Sequence, residues 1–197
     1  MKNNLKKTIF AIKPYIPGKP IEEVQRELGL KGVIKLASNE NPFPPSPKVL
    51  KAMAVAARSV NRYPQGDCFY LRKELAKRLN IKPEQLIFGN GSDELIVFAA
   101  RVFLKQNDEV IIADPSFLIY EIASKLEGAK IKKVPLNNFR YDLNAMIKAI
   151  TKRTKIIFLG NPDNPAGSYL KEKDVRSFLK NIRQDILVFI DEAYYEF

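Results

Sequence analysis

An aspartate that ends a run of apolar residues is the first group in this chain able to do chemistry. Leu187 to Ile190 (LVFI) leads directly into Asp191-Glu192-Ala193-Tyr194, and a second run, Ile156 to Leu159 (IIFL), leads into Gly160-Asn161-Pro162-Asp163-Asn164-Pro165-Ala166-Gly167. A carboxylate in that place is poorly hydrated, which is costly unless it faces a cation. A protonated pyridine nitrogen is such a cation, and a carboxylate beside it holds the ring in its electron-withdrawing form. Tyr194, one turn on, can donate to an oxygen on the same ring. Two Asn/Asp-Pro turns and a glycine make a stiff loop that presents the Asn164 amide. The competing reading is a helix-capping aspartate beside a buried tyrosine.

Two further segments could serve the same ligand. Gly89-Asn90-Gly91-Ser92-Asp93-Glu94 joins an apolar run to an amphipathic one. Its glycines permit close backbone approach, and the first amides of a helix are unpaired donors at a positive dipole end, which suits a phosphate. A dinucleotide fingerprint needs glycine where Glu94 stands, and a P-loop needs Gly-Lys-Ser/Thr, so both are excluded. Asp114-Pro115-Ser116-Phe117 follows another apolar run and offers an aromatic ring that could stack on a planar ligand or sit in the core.

Composition narrows the chemistry. There is no histidine, so imidazole is removed as base, nucleophile or metal ligand, and no metal site is expected. The single cysteine, Cys68, forms no internal disulfide framework and suits a reducing compartment. The net charge of +11 is spread over polar helix faces with acids between, which reads as a solvated basic surface rather than a nucleic-acid site. No apolar run approaches membrane-spanning length, and Lys13 cuts short the patch Ile9 to Ile12, so the expected location is the cytoplasm.

The elements that must position these groups follow from periodicity. Met1 to Lys13 reads as a loose terminus, Pro14-Tyr15 and Pro17-Gly18 as extended or turning chain, and Pro20 as the start of a helix carrying Ile21, Val24 and Leu28. Val33 to Leu36 reads as a strand, and the loop Ser38 to Pro45 is too rich in proline to join a central strand. Ser46-Pro47 caps a helix with Val49, Met53 and Val60 inward. Leu71, Leu75 and Leu79 mark the next helix. From Leu86 the pattern alternates. Strands are expected at Leu86–Phe88, Val110–Ala113, Ile131–Val134, Ile156–Leu159 and Leu187–Ile190. The helices between them carry Leu95, Phe98, Ala99, Val102 and Phe103; Ile119, Ile122, Ala123 and Leu126; Leu143, Met146, Ile147 and Ile150 behind an Asp142 cap; and Val175, Phe178, Leu179 and Ile182. Ile156–Leu159 and Leu187–Ile190 are apolar throughout, and the alternation of short strands with striped helices argues for a doubly wound parallel α/β sheet whose ligand lies beyond the strands' carboxyl ends.

Taken together, these residues resemble the fold type I pyridoxal-phosphate aminotransferases, and most closely the histidinol-phosphate aminotransferase family. The resemblance runs along the whole chain: PYIPGKPIEEVQRELGL from Pro14, LASNENPFPPSP from Leu36, RYPQG from Arg62, GNGSDEL from Gly89, GNPDNPAG from Gly160 and DEAYYEF from Asp191. Six motifs in the family's order make it specific. It implies a three-layer αβα fold with a mostly parallel sheet, the large-domain type of the pyridoxal-phosphate transferases in truncated form. Residues 1–45 would be an N-terminal arm and extended segment, and 46–197 an incomplete cofactor-binding domain.

The resemblance also implies pyridoxal 5′-phosphate as cofactor. Asp191 would hold the ring nitrogen, Asn164 and Tyr194 the 3-oxygen, and Phe117 would stack on the ring. Gly91, Ser92 and Asp93 would take the phosphate. Tyr63 would reach the cofactor phosphate of a second copy in a homodimer, and Asn41 would lie near the substrate. The implied reaction is transamination of histidinol phosphate with 2-oxoglutarate. Phe117 stands where a tyrosine is common, and Ala166 where a threonine is usual. The family's Schiff-base lysine and its carboxylate-gripping arginine follow the Asp-Glu-Ala-Tyr motif, beyond Phe197, so this chain alone is expected not to transaminate. The resemblance also places later strands beside Leu86–Phe88, which would leave that strand without neighbours here. Alternatives are another activity of the same fold, such as an aromatic aminotransferase or a threonine-phosphate-type lyase, and a non-catalytic cofactor-binding remnant.

Overall fold

The computed structural model describes residues 7–12, 14 and 16–197, which form two compact units. One spans Pro14–Phe88, and the other joins the described N-terminal stretch to Gly89–Phe197. The expected loose terminus and the Pro14-Tyr15 turn lie partly outside the described residues; the described part forms a 3₁₀ turn at Lys7–Ala11. Among the described residues no helix is long and apolar enough to cross a membrane.

The Pro14–Phe88 unit holds helices α1 (Ile21–Leu28), α2 (Pro47–Ala56) and α3 (Phe69–Leu79). The start of α2 follows the sequence: Pro47 takes the first helical position and Ser46 Oγ accepts from the Val49 N–H at 3.4 Å. The expectation that Val49, Met53 and Val60 face inward is corrected, since they are 49%, 61% and 78% exposed. An apolar stripe records a helix's capacity to bury a face, and α2 has no buried residue in this chain. The strands expected at Val33–Leu36 and Leu86–Phe88 are also corrected, because neither joins a ladder. Leu86 keeps extended angles (φ −104°, ψ 133°), yet its carbonyl accepts from Arg72 Nη1 at 2.6 Å instead of from a neighbouring strand. A short apolar run fixes extension; only a partner makes it a strand.

The second unit alternates helix and strand: α4 (Gly91–Phe103), β1 (Glu109–Asp114), α5 (Leu118–Leu126), β2 (Lys130–Pro135), α6 (Leu143–Lys148), β3 (Thr154–Gly160), α7 (Glu172–Lys180) and β4 (Leu187–Asp191). The four strands are parallel in the order β2-β1-β3-β4. Alternate residues serve opposite faces. Val110, Ile112, Ile156 and Phe158 pack with Ile96 and Ala100 of α4 and Tyr120 and Ala123 of α5, whereas Ile111, Ala113, Ile157 and Leu159 pack with Met146 of α6 and Phe178 of α7. The result is the expected three-layer αβα architecture.

Two helix faces differ from expectation. In α4 the buried residues are Ile96 and Ala100, continued by Leu104, while Val102 and Phe103 are exposed. In α5 the expected Ala123 is buried and Ile119 packs against the core, but the other fully buried positions are Tyr120 and Ser124 rather than Ile122 and Leu126. Helices this apolar offer more than one stripe, and packing on the sheet selects among them. The Asp142 cap is as expected: its Oδ1 accepts from the Ala145 N–H at 2.8 Å. Because α6 has only six residues, Asp142→Ala is expected to cost about 1 kcal/mol, measurable by urea denaturation.

This topology creates a crevice. From β1 the chain passes through α5 on one face of the sheet, and from β3 it passes through α7 on the other, so the strand order switches between β1 and β3. Ligands of such sheets bind at the switch point. The β1–β3 ladder ends at the Ile111–Ile157 pair, whereas β1–β2 continues to Asp114–Pro135 and β3–β4 to Gly160–Asp191. Strands β1 and β3 therefore part toward their carboxyl ends.

Candidate active site

A cleft at those ends is lined by Ser92, Phe117, Tyr120, Gly160, Pro162, Asn164, Asp191, Ala193 and Tyr194. Five of the residues singled out from sequence, Ser92, Phe117, Asn164, Asp191 and Tyr194, are thus brought together. They arrive from four places: Ser92 from the start of α4, Phe117 from the turn after β1, Asn164 from the loop after β3, and Asp191 and Tyr194 from the end of β4 and the turn after it. Gly91 and Asp93 flank Ser92 at the same helix start. Gly91 has φ 75°, a conformation that favours glycine, and it turns the chain into α4. Asn41 and Tyr63 belong to the other unit, and both are exposed. Asn41 Oδ1 there accepts from the Phe43 N–H at 3.0 Å.

Asp191 is the electrostatic centre of the cleft. It is only 8% exposed, and its carboxylate accepts from the Tyr120 O–H at 2.9 Å and from the Ala193 N–H at 3.1 Å. A carboxylate offers about four acceptor positions, so capacity remains on the side facing the cleft. Among the described ion pairs none engages Asp191. Its charge is felt nearby: burial, and then the proximity of Asp191, raises the Asp93 carboxyl above its usual range. A dry negative group with open acceptor positions and no cation is suited to a cationic, planar ligand. The Phe117 ring, the Asn164 amide, the Tyr194 phenol and the hydroxyl and amides at the start of α4 are complementary to the ring face, ring oxygen and phosphate of such a ligand.

Tyr120 was not singled out from sequence. Its ring stacks on Phe158 (centroids 4.7 Å apart, planes at 4°) and meets Phe117 edge-on at 5.6 Å. The available signal was the i, i+3 spacing of Phe117 and Tyr120, which puts both on one side of a helical turn, together with the need of a buried phenol for a partner. No local signal in the sequence marks Tyr141 and Asp163 as partners. The Tyr141 O–H donates to Asp163 Oδ1 at 2.5 Å beneath the loop that carries Asn164.

Both phenols are held protonated. Burial first, and then the charge and hydrogen bond of Asp191, push Tyr120 well above the usual phenol range; burial and then the hydrogen bond to Asp163 do the same for Tyr141. The sign follows from linkage. Unfolded tyrosines ionise near pH 10 while these two keep their protons, so their stabilisation is complete below pH ~10 and is lost as pH rises above it. Each of Tyr120→Phe and Tyr141→Phe is expected to remove about half a proton, or ~0.7 kcal/mol per pH unit, from the alkaline slope of stability averaged between pH ~9 and ~11, rising toward one proton at the upper end and read by denaturant titration.

Residues 31–197 match the family described as aminotransferase class I and II. The chain belongs to the class I and II aminotransferases. Within that family it is 48% identical over 192 residues to histidinol-phosphate aminotransferase of Moorella thermoacetica, covering 98% of this chain and 50% of that protein. It is 44% identical to the enzyme of the same name from Halalkalibacterium halodurans, covering 98% and 52%. The crystal structure of histidinol-phosphate aminotransferase from Sinorhizobium meliloti in complex with pyridoxal-5′-phosphate superposes with a TM-score of 0.87 at 26% identity, over 98% of this chain and 52% of that one. This aminotransferase chain spans about half the length of the curated relatives it matches.

Proposed function

We propose that this chain builds the cofactor cleft of a pyridoxal-phosphate-dependent aminotransferase that exchanges an amino group between histidinol phosphate and 2-oxoglutarate. The observation that carries the reading is the buried Asp191 carboxylate, without an ion-pair partner among the described residues, in one cleft with Phe117, Asn164, Tyr194 and Ser92. The name shared by the curated relatives supports histidinol phosphate as the substrate. When bound, pyridoxal phosphate supplies an electron-withdrawing ring that stabilises negative charge at the substrate's α-carbon.

The chain's own residues hold and orient. Asp191 keeps a proton on the ring nitrogen by facing it with a dry carboxylate, and Tyr120 fixes that carboxylate through its O–H. Asn164 and Tyr194 direct donors at the ring oxygen, and Phe117 covers one ring face and excludes water there. The Ser92 hydroxyl and the amides of Ser92 and Asp93 receive the phosphate, while Gly91, whose own N–H donates to the Gly89 carbonyl at 3.0 Å, turns the chain toward it. The fully exposed Tyr63 phenol is assigned to the phosphate of a second copy in a homodimer, and Asn41 to the substrate, both on the family resemblance.

No lysine stands among the residues lining the cleft, so no amine there can form the covalent link to the cofactor and afterwards serve as the base at the α-carbon. The chain alone is therefore expected to bind cofactor and leave substrate unchanged. The probe is 4′-deoxypyridoxine 5′-phosphate, whose methyl group replaces the aldehyde and cannot react with surface lysines. Saturable binding at one site, seen as circular dichroism induced in the probe's ring band, is the expected result. Absence of that signal defeats the cofactor reading. Turnover of histidinol phosphate by the purified chain, above a protein-free control, defeats the expectation of inactivity.

A further inference from the structure

Resting on that cofactor reading, we propose that Tyr141 and Asp163 form a buried clamp that sets where Asn164 presents its amide, making Tyr141 a positioning residue of the cleft. Tyr141 precedes α6 on the sheet face opposite Tyr120. Its phenol works in both directions, donating to Asp163 Oδ1 at 2.5 Å and accepting from the Gly160 N–H at 2.8 Å. Asp163 is 4% exposed, and its second oxygen accepts from the Ala166 N–H at 2.9 Å. Its backbone closes the loop, the N–H donating to the Ser168 carbonyl at 2.8 Å and the carbonyl accepting from Gly167 at 2.9 Å. One phenol thus ties the last residue of β3 to the middle of the loop, and one carboxylate ties that middle to the loop's return.

The consequence falls on the next residue. With the Asp163 side chain drawn inward, the chain turns Asn164 to the cleft, where it stands among the lining residues. Gly160 leaves room for the arrangement: a Cβ there would lie 3.2 Å from Asp163 Oδ1 and 3.5 Å from the Tyr141 hydroxyl. Deleting the Tyr141 hydroxyl leaves a buried N–H and a buried carboxylate each short of one partner, and both belong to this loop.

Two measurements on the 197-residue chain test the clamp. In the first, amide hydrogen exchange is followed by NMR on the cofactor-free protein. Tyr141→Phe is expected to speed exchange at Gly160 and Ala166 by about tenfold while Ile157, in the β3 ladder, is unchanged. Unaltered exchange, or acceleration shared by Ile157, overturns the clamp. In the second, affinity for 4′-deoxypyridoxine 5′-phosphate is compared in Tyr141→Phe, Asn164→Ala and the double variant. Each single change is expected to weaken binding about tenfold, and the double variant to be no weaker than Asn164→Ala, because Tyr141 acts through Asn164. Independent, multiplying losses overturn the positioning role. Failure of the wild-type chain to bind the probe removes the cofactor reading, and with it the proposal that Tyr141 positions a cofactor ligand; the exchange arm separately decides whether the clamp holds the loop.

Discussion

Asp191→Asn is expected to weaken binding of 4′-deoxypyridoxine 5′-phosphate by about a hundredfold, within the ~2–5 kcal/mol that follows loss of one partner from a buried charge pair. The substitution nearly preserves volume, and the amide oxygen can still accept from the Ala193 N–H while its NH2 donates to the Tyr120 hydroxyl oxygen, so the cleft keeps its shape. What changes is charge: a neutral amide no longer holds a proton on the ring nitrogen. Without ligand the effect reverses in sign. Asp191 is 8% exposed and none of the described ion pairs engages it, so its ionised form carries a desolvation cost that asparagine avoids. The melting temperature of the cofactor-free variant should equal or exceed that of the wild type. Weaker binding together with an undiminished melting temperature identifies Asp191 as a ligand group. Equal affinity in both proteins contradicts the assignment, and a lowered melting temperature without loss of affinity makes Asp191 a structural cap.

Much of this site was legible because its residues stand where one pattern gives way to another. Asp191, Asn164 and Phe117 each follow an apolar run, and a parallel sheet gathers the ends of such runs at one edge, so their convergence follows from periodicity and topology. The four strands of the sheet and the Ser46 and Asp142 caps were readable for the same local reasons. What escaped were partnerships. Tyr120 and Asp191 are 71 positions apart, and Tyr141 and Asp163 are 22 apart. No local period reports which phenol reaches which carboxylate. The misread faces of α2 and α4 and the unladdered segments at Val33–Leu36 and Leu86–Phe88 share that cause, since each depends on what lies opposite rather than on the segment itself.

The support beneath Asp191 can be tested at Phe158, where the largest loss of stability is expected. Phe158 is 0% exposed in the middle of β3, with Tyr120 stacked on it at 4.7 Å and Phe189 tilted against it at 5.4 Å. Phe158→Ala removes the partner of both rings, and a fully buried phenylalanine truncated to alanine costs ~3–5 kcal/mol. For a domain whose total stability is of order 5–15 kcal/mol, that is at least about a fifth of the whole, and urea denaturation should show the midpoint falling accordingly. Phe158→Leu separates packing from cleft geometry. It refills much of the volume and should recover most of the stability, but it offers no flat face for Tyr120, so the phenol is less firmly held against Asp191. The leucine variant is therefore expected to be nearly as stable as the wild type and yet to bind 4′-deoxypyridoxine 5′-phosphate more weakly. Wild-type affinity in that variant means that the Tyr120 hydrogen bond alone fixes the carboxylate, and the stacked ring beneath it serves only the core.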